Sequence, residues 1–451
     1  MWCYVTKKNL ENYLNKYPNL SEIYQDICLY ESENKIFLPR YFYKNYPDGI
    51  EVFKSQQVIS PEPTFYKFTG KLRPSQVNVV NTVLELYRKN GYVNGIIKCP
   101  PGLGKTVLSI YIAAQMGVKT CVIVDNDSLL RQWIAEFKKF TDLKESEIGI
   151  IKQKMFSTDV PVSIALVQSL VSKIKNNLPK NFNIVDKGRF GLVIYDEVHG
   201  TSSAPKFAKA SLLFRTLNMI GLSATPFQTG AAEILMKNTV GDIIYESKEY
   251  DLKPKYVMNY YDSDLATKYS GSLARRQDYI HRKAYYNSII VKSNIYFNVI
   301  TTLVKKRLEE GHRILIVCST KQQVKMISDK LDKMKISNRK YYGDEKDEVD
   351  KENVKVLIVT YAYAGKGFDF KQLSSLILAV NLAGKKSLIQ VVGRILRSCD
   401  DKLKPVVDDL IDLSFASMFI PDAKVKTSII TEEFNCEITT ARFSSDGLSV
   451  N

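Results

Sequence analysis

Two short runs in this chain carry residue types at spacings that could do phosphate chemistry. The first is CPPGLGKT, Cys99 to Thr106. Gly102 and Gly104 would let backbone N–H groups approach phosphate oxygens, with Pro101 and Leu103 completing the loop. Lys105 could reach the β- and γ-phosphates, and Thr106 could ligate magnesium. Cys99 stands where the pattern G-x-x-x-x-G-K-[ST] wants glycine. Smallness is the main demand there, so nucleotide binding is expected to survive. The second run is GLVIYDEVHG, with Asp196 and Glu197 adjacent. Asp196 is the candidate to hold magnesium through water, and Glu197 the candidate general base that polarises an attacking water. An acidic pair alone says little. Joined to the lysine loop upstream, it points to nucleoside triphosphate hydrolysis.

Those residues need elements to aim them. NGIIKC before the loop reads as a strand, and KTVLSIYIAAQM after it as a helix. TCVIVD, VSIALV, GLVIYD and MIGLSA read as further buried strands. Ser128 is the expected cap of a helix that places Leu129, Trp133 and Phe137 on one face. A second series begins near Asn287, with strands RILIVC, VKVLIVT, SSLILAV and PVVDDLIDL. Its helix KQQVKMISDKL repeats Val324, Ile327 and Leu331 at helical spacing. Two successive strand and helix series predict an α/β protein with two doubly wound parallel-sheet domains. Residues 1 to about 60 are tyrosine-rich and read as two short helices followed by strands. PEPT, Pro61 to Thr64, reads as a linker. The expected division is 1–60, 61–248 and 249–451.

The 451 residues carry 64 basic and 48 acidic side chains, a formal charge of +16. Such an excess favours an anionic partner, most simply nucleic acid. From Leu265 to Leu308 there are nine basic residues and one acid, including Arg275, Arg276, Arg282 and Lys283 among tyrosines. KIFLPRYFYKNY sets Lys35, Arg40 and Lys44 among aromatics, a mixture that suits backbone contact and base stacking but equally a small aromatic core. Seven scattered cysteines with no C-x-x-C pair, and three histidines, argue against a zinc site or a disulfide framework. No run suits a membrane span and the start lacks an apolar signal core, so a cytosolic location is expected, the host cell's cytoplasm if the chain is viral.

The ordered motifs resemble those of superfamily 2 helicases. LRPSQ (Leu72 to Gln76) precedes the loop. DEVH follows it, then SAT (Ser223 to Thr225), TYAYAGKGFD (Thr360 to Asp369) and QVVGRILR (Gln390 to Arg397). ENKIFLPRYFYKNYPDG is similar to the N-terminal domain of the small UvsW-like phage group of that superfamily. The resemblance implies two tandem RecA-like motor domains, a small α+β N-terminal domain, and ATP with Mg2+ as cofactors. It implies that Arg73 and Gln76 read the adenine, and that Gly367 and Asp369 lie at the nucleotide cleft. Gln390, Arg394 and Arg397 would act in catalysis, the arginines as fingers on the γ-phosphate. Ser223 and Thr225 would couple the cleft to domain movement.

Strand contacts would fall to Gln168, Ser169 and Thr360. Asp125, Asn126 and Asp127 replace the proline and threonine usual in the first strand-contact motif, so their carboxylates either point away or weaken that contact. Val167 stands where threonine is common in the next. The implied activity is ATP-driven remodelling of branched or forked DNA. RNA or RNA:DNA-hybrid unwinding, and an ATP-gated clamp that does not translocate, stay open. The oligomeric state is not fixed by the sequence, with a monomer as the working expectation.

Overall fold

A computed structural model describes residues 3–21, 27–52, 61–175, 189–198, 204–224, 231–247, 250, 252–275, 278–341, 354–364, 370–397, 399, 401–444, 446 and 449–450. The chain divides into two units, Met1–Ser247 and Lys248–Asn451.

Unit 1 carries two sheets. The smaller is antiparallel, in the order β2 (Tyr30–Glu31), β3 (Lys35–Leu38), β1 (Cys3–Thr6), β4 (Glu51–Val52). Sequence reading placed helices first, but β1 precedes the helices Leu10–Lys16 and Pro18–Ser21. Its four residues become a strand only through pairing with β3, which local pattern does not show. This sheet shares one apolar cluster with the larger one, in which Leu20, Phe37 and Phe42 join Phe207, Leu213 and Phe214. The PEPT segment is docked: Thr64 N–H donates to Gly117 O, and Lys119 N–H to Glu62 O.

The larger sheet has eight strands, ordered β12 (Ile243–Glu246), β5 (Asn94–Lys98), β11 (Met219–Ser223), β10 (Leu192–Asp196), β6 (Thr120–Val124), β9 (Val162–Leu166), β7 (Ile148–Lys152), β8 (Met155–Phe156). All neighbours are parallel except β7 and β8. Strands β6, β9, β10 and β11 are buried throughout, as a sheet covered on both faces requires. The helices that serve the site are α1 (Pro74–Asn90), α2 (Lys105–Met116), α3 (Asp127–Phe140) and α4 (Val167–Lys175).

Unit 2 holds a second eight-stranded sheet. Its order is β15 (Asn338–Tyr341), β16 (Val356–Thr360), β14 (Ile314–Cys318), β17 (Ser375–Ala379), β18 (Val406–Asp412), β13 (Lys255–Tyr261), β19 (Ile438–Phe443), β20 (Ser449–Val450). Only the β19–β20 pair is antiparallel. Helices α5 (Ala266–Ala274), α6 (Tyr279–Ile289), α7 (Asn294–Glu309), α8 (Lys385–Val392) and α9 (Ala416–Phe434) belong to this unit. Val324, Ile327 and Leu331 are fully buried, as their spacing predicts.

Strand β18 carries three acids into this core. Asp408 receives Arg307 in a bidentate pair, Nε to Oδ2 at 2.7 Å and Nη2 to Oδ1 at 2.8 Å. Asp409 binds Lys426 Nζ at 2.6 Å, both side chains being fully buried. Arg307 was counted in the basic stretch, but it is an internal ion-pair member rather than a surface charge.

Candidate nucleotide site

The CPPGLGKT loop joins β5 to α2, so the helix dipole and the first N–H groups of α2 point at the loop. Gly102 and Gly104 have φ of 93° and 84°. A Cβ at Gly104 would lie 2.5 Å from Gln76 Nε2, so glycine is demanded there by space as well as by conformation. Cys99 is fully buried. Its N–H donates to Ser223 O at 3.0 Å, and burial pushes its thiol up to about 11.

Arg73 and Gln76 open α1 and brace this loop. Arg73 Nη2 donates to Gly102 O at 2.8 Å. Gln76 Nε2 donates to Leu103 O at 2.8 Å, while Gln76 Oε1 accepts from Arg73 N–H at 2.9 Å. The expected adenine reader is thus engaged with the loop backbone. Base reading would draw on the second Oε1 lone pair or on the longer 3.4 Å bond from Nε2 to Gly104 O.

Across the sheet, β10 delivers Asp196 and Glu197. Lys105 Nζ lies 3.9 Å from Glu197 Oε1 and 3.4 Å from Cys99 O. Glu197 has φ of +54°, a left-handed conformation that costs a non-glycine residue about 1 kcal/mol or more. Asp196 is 6% exposed and accepts the indole N–H of Trp133 at 2.8 Å. Burial, then the charge of Glu197, pushes Asp196 up to about 7, with the Trp133 bond acting the other way. Two crowded carboxylates, one of them buried, fit a divalent cation that would relieve both effects. The loop, Lys105, Thr106 and Asp196 therefore fit ATP with magnesium.

The residues expected to contact a strand are engaged within the protein. Asn126, not Ser128, caps α3, its side chain accepting from Leu129 N–H at 3.0 Å. The register of α3 buries Leu130, Trp133 and Phe137, with Leu129 only partly covered. Asp127 pairs with Lys152 at 2.7 Å, and Asp125 Oδ1 accepts from Gln168 Nε2 at 3.0 Å. Lys152 compensates the charge of Asp127, whereas Asp125 is held in place by a neutral amide and keeps its charge. Gln168 is exposed but spent on Asp125, and Ser169 is buried with its Oγ accepting from Gln153 N–H.

Arg40, expected to contact DNA, is instead an internal residue. It is 3% exposed, and its guanidinium donates to the carbonyls of Ser211, Phe214 and Thr216. No phosphate could reach it. Its neighbours Phe37, Leu38, Tyr41 and Phe42 are buried, so this segment is chiefly a core. Lys35 lies 4.1 Å above the Tyr4 ring, and Lys44 is exposed at 4.8 Å from the Tyr41 ring.

In unit 2, Gln390 lies on α8 and Arg394 Nε donates to Ala364 O at 3.0 Å. The carbonyl of Arg397 accepts from Lys402. Thr360 ends β16 at 9% exposure. Arg275 is exposed at the end of α5, its Nε turned to Gly271 O. Thr225, Arg276, Gly367 and Asp369 lie outside the described residues.

The parallel sheets, the loop and the acidic pair together form a candidate nucleotide site in an α/β fold. A family model described as type III restriction enzyme, res subunit, matches residues 69–228. The chain is similar to helicases, as its ordered motifs lead one to expect. Among its relatives is a probable helicase, D10, of Escherichia phage T5, 28% identical over 70% of this chain and 67% of that protein. Another is a putative ATP-dependent RNA helicase, L396, of Acanthamoeba polyphaga mimivirus, 26% identical over 85% and 72%. In fold, the chain matches a fragment of a putative HsdR subunit of a type I restriction enzyme from Vibrio vulnificus. That match has a TM-score of 0.56 and 16% identity over 85% of this chain and 71% of that one. No helix among the described residues is long and apolar enough to cross a membrane.

Proposed function

We propose that this chain is an ATP-driven DNA translocase that moves branch points in forked and four-way DNA, in the service of replication, recombination and repair. The observation that carries the motor part is Lys105 brought within 3.9 Å of Glu197 beside the buried Asp196. Lys105 would neutralise phosphate charge, Thr106 and Asp196 would hold magnesium, and Glu197 would take the proton of the attacking water. Magnesium would supply further neutralisation of phosphate charge. Gln390, Arg394 and Arg397 are assigned to the transition-state charge, a task that suits a planar, permanently charged guanidinium.

The DNA part is supported by the basic run Leu265 to Leu308 and by the resemblance of the ordered motifs to the phage helicase group. The second reading, RNA or hybrid unwinding, is favoured by the name of the mimivirus relative. One assay separates them: ATP-dependent processing of a synthetic four-way junction, a tailed DNA duplex and an RNA duplex in parallel. Junction movement with ATP and magnesium, above the other two rates, is expected. Faster RNA unwinding would transfer the assignment to RNA. ATPase stimulated by nucleic acid with no strand displacement would leave a clamp.

A further inference from the structure

Trp133 looks from the sequence like one more apolar residue on a helix face. It is 1% exposed and lies in the middle of α3, its ring 6.0 Å from that of Phe137. A buried indole N–H needs an acceptor. Here the acceptor is Oδ2 of Asp196, at 2.8 Å, on a strand 63 positions further along the chain. A backbone carbonyl would have satisfied the indole equally well. The bond instead fixes one oxygen of the carboxylate assigned to the metal shell, and leaves Oδ1 outside that bond.

The N-terminal end of α3 lies in the loops that the resemblance assigns to strand contact. Asn126 caps it, Asp127 is held by Lys152, and Asp125 is held by Gln168 at the start of α4. One 14-residue helix therefore has its first turn in those loops and its second turn on Asp196. A hydrogen-bonded helix moves as a unit, so a displaced first turn changes the direction from which the indole N–H meets Asp196.

We infer that Trp133 is a positioning residue: its indole N–H orients Asp196 for magnesium and ties that orientation to the helix that starts in the strand-contact loops. The inference rests on Asp196 as the metal-holding residue and deepens that reading by assigning its control to nucleic-acid binding. Outer partners of metal-held carboxylates commonly shift metal affinity by about 10- to 100-fold.

The test uses the full chain and a fluorescent, non-hydrolysable ATP analogue, titrated with magnesium at equilibrium. Trp133→Phe keeps the aromatic packing and removes the donor. Its half-saturating magnesium should rise roughly tenfold, with magnesium-free analogue binding and melting temperature close to wild type. In an Asp196→Asn background the same change should add nothing, because the residue acts through that carboxylate. Single-stranded oligonucleotide should shift the half-saturating magnesium of wild type but not of Trp133→Phe.

A second measurement leaves Trp133 intact. The chain has two tryptophans, so Trp2→Phe makes Trp133 the sole emitter. Its emission should shift when magnesium and analogue are added together, and not in Trp2→Phe/Asp196→Asn. An unaltered magnesium titration in folded Trp133→Phe, effects that simply add, or a silent sole tryptophan would overturn the inference. A wild type whose analogue binding ignores magnesium would overturn the Asp196 reading itself, and the inference with it.

Discussion

Lys105 and Glu197 are close enough to feel each other, yet their losses should differ. Lys105→Ala removes the cation that faces the β- and γ-phosphates, so hydrolysis should fall at least a hundredfold at saturating ATP and nucleic acid, roughly 3 kcal/mol in barrier. Glu197→Gln keeps Asp196 and Thr106, so ATP and magnesium should still bind while turnover collapses. Nucleotide affinity by equilibrium titration, measured beside turnover, distinguishes the two; loss of binding in Glu197→Gln would make that residue a metal holder. Cys99 should be indifferent. Its thiol is fully buried and pushed up to about 11, so the reactive thiolate is scarce at neutral pH. Cys99→Ala should retain ATPase within about twofold and lose no more than ~1 kcal/mol of stability, as for a small core truncation. Inactivation of wild type by a mild thiol reagent, resisted by the alanine variant, would reverse that view.

The elements that could be read from the sequence are those whose signal is local. Ile96 and Ile97, Val193 and Ile194, and Leu357 to Val359 sit in unbroken apolar runs and form the interior strands β5, β10 and β16. The loop and the acidic pair could be read too, because each is contiguous. Strands β12, β13 and β19 are not legible, because their residues are mixed and each pairs with a strand far along the chain; β7, IGIIK, is an apolar run whose partners β8 and β9 follow it directly, and its signal is local after all. Strand β13, KYVMNYY, pairs with Val406–Asp412 and with Ile438–Arg442. The Trp133 to Asp196 bond escaped for the same reason, and Arg40 was misread because a basic residue among aromatics looks the same whether it faces water or carbonyls. Arg40 ties the small sheet to the Ser211–Thr216 segment between β10 and β11. Arg40→Ala should cost roughly 3 kcal/mol or more, since three carbonyls lose a charged donor; a lower denaturant midpoint checks it. In unit 2, Lys426→Met should cost about 3–5 kcal/mol by stranding Asp409, whereas Lys426→Met with Asp409→Leu should recover most of the loss. Equal destabilisation by both would mean that the pair itself, not the stranded charge, holds β18 to α9.

At the scale of the whole molecule, the net charge of +16 must be resolved into the charges that a polyanion can reach. Arg40 and Arg307 are buried and leave that set. Lys268 and Lys292 flank the Tyr269 ring at 5.6 and 5.1 Å, Lys283 lies 5.6 Å from the Tyr279 ring, and Arg275 and Arg282 are exposed. These groups surround α5 and α6, where the described acid Asp278 is occupied in capping α6. A duplex held there would release counterions in proportion to the phosphates neutralised. Arg275→Glu with Arg276→Glu should therefore weaken DNA binding and flatten its salt dependence, by roughly 0.9 in slope for each phosphate that is no longer neutralised. Basal ATPase without DNA should change little, because neither arginine is assigned a part in holding or hydrolysing the nucleotide. ATPase stimulation should need more DNA to reach its maximum. Junction movement should suffer most, because a motor without a grip on the duplex turns over without displacing it. Binding isotherms across a salt series decide the matter: an unchanged slope in a folded double variant would make this run a solvated face and move the grip to the exposed Lys44 and its neighbours on the small sheet.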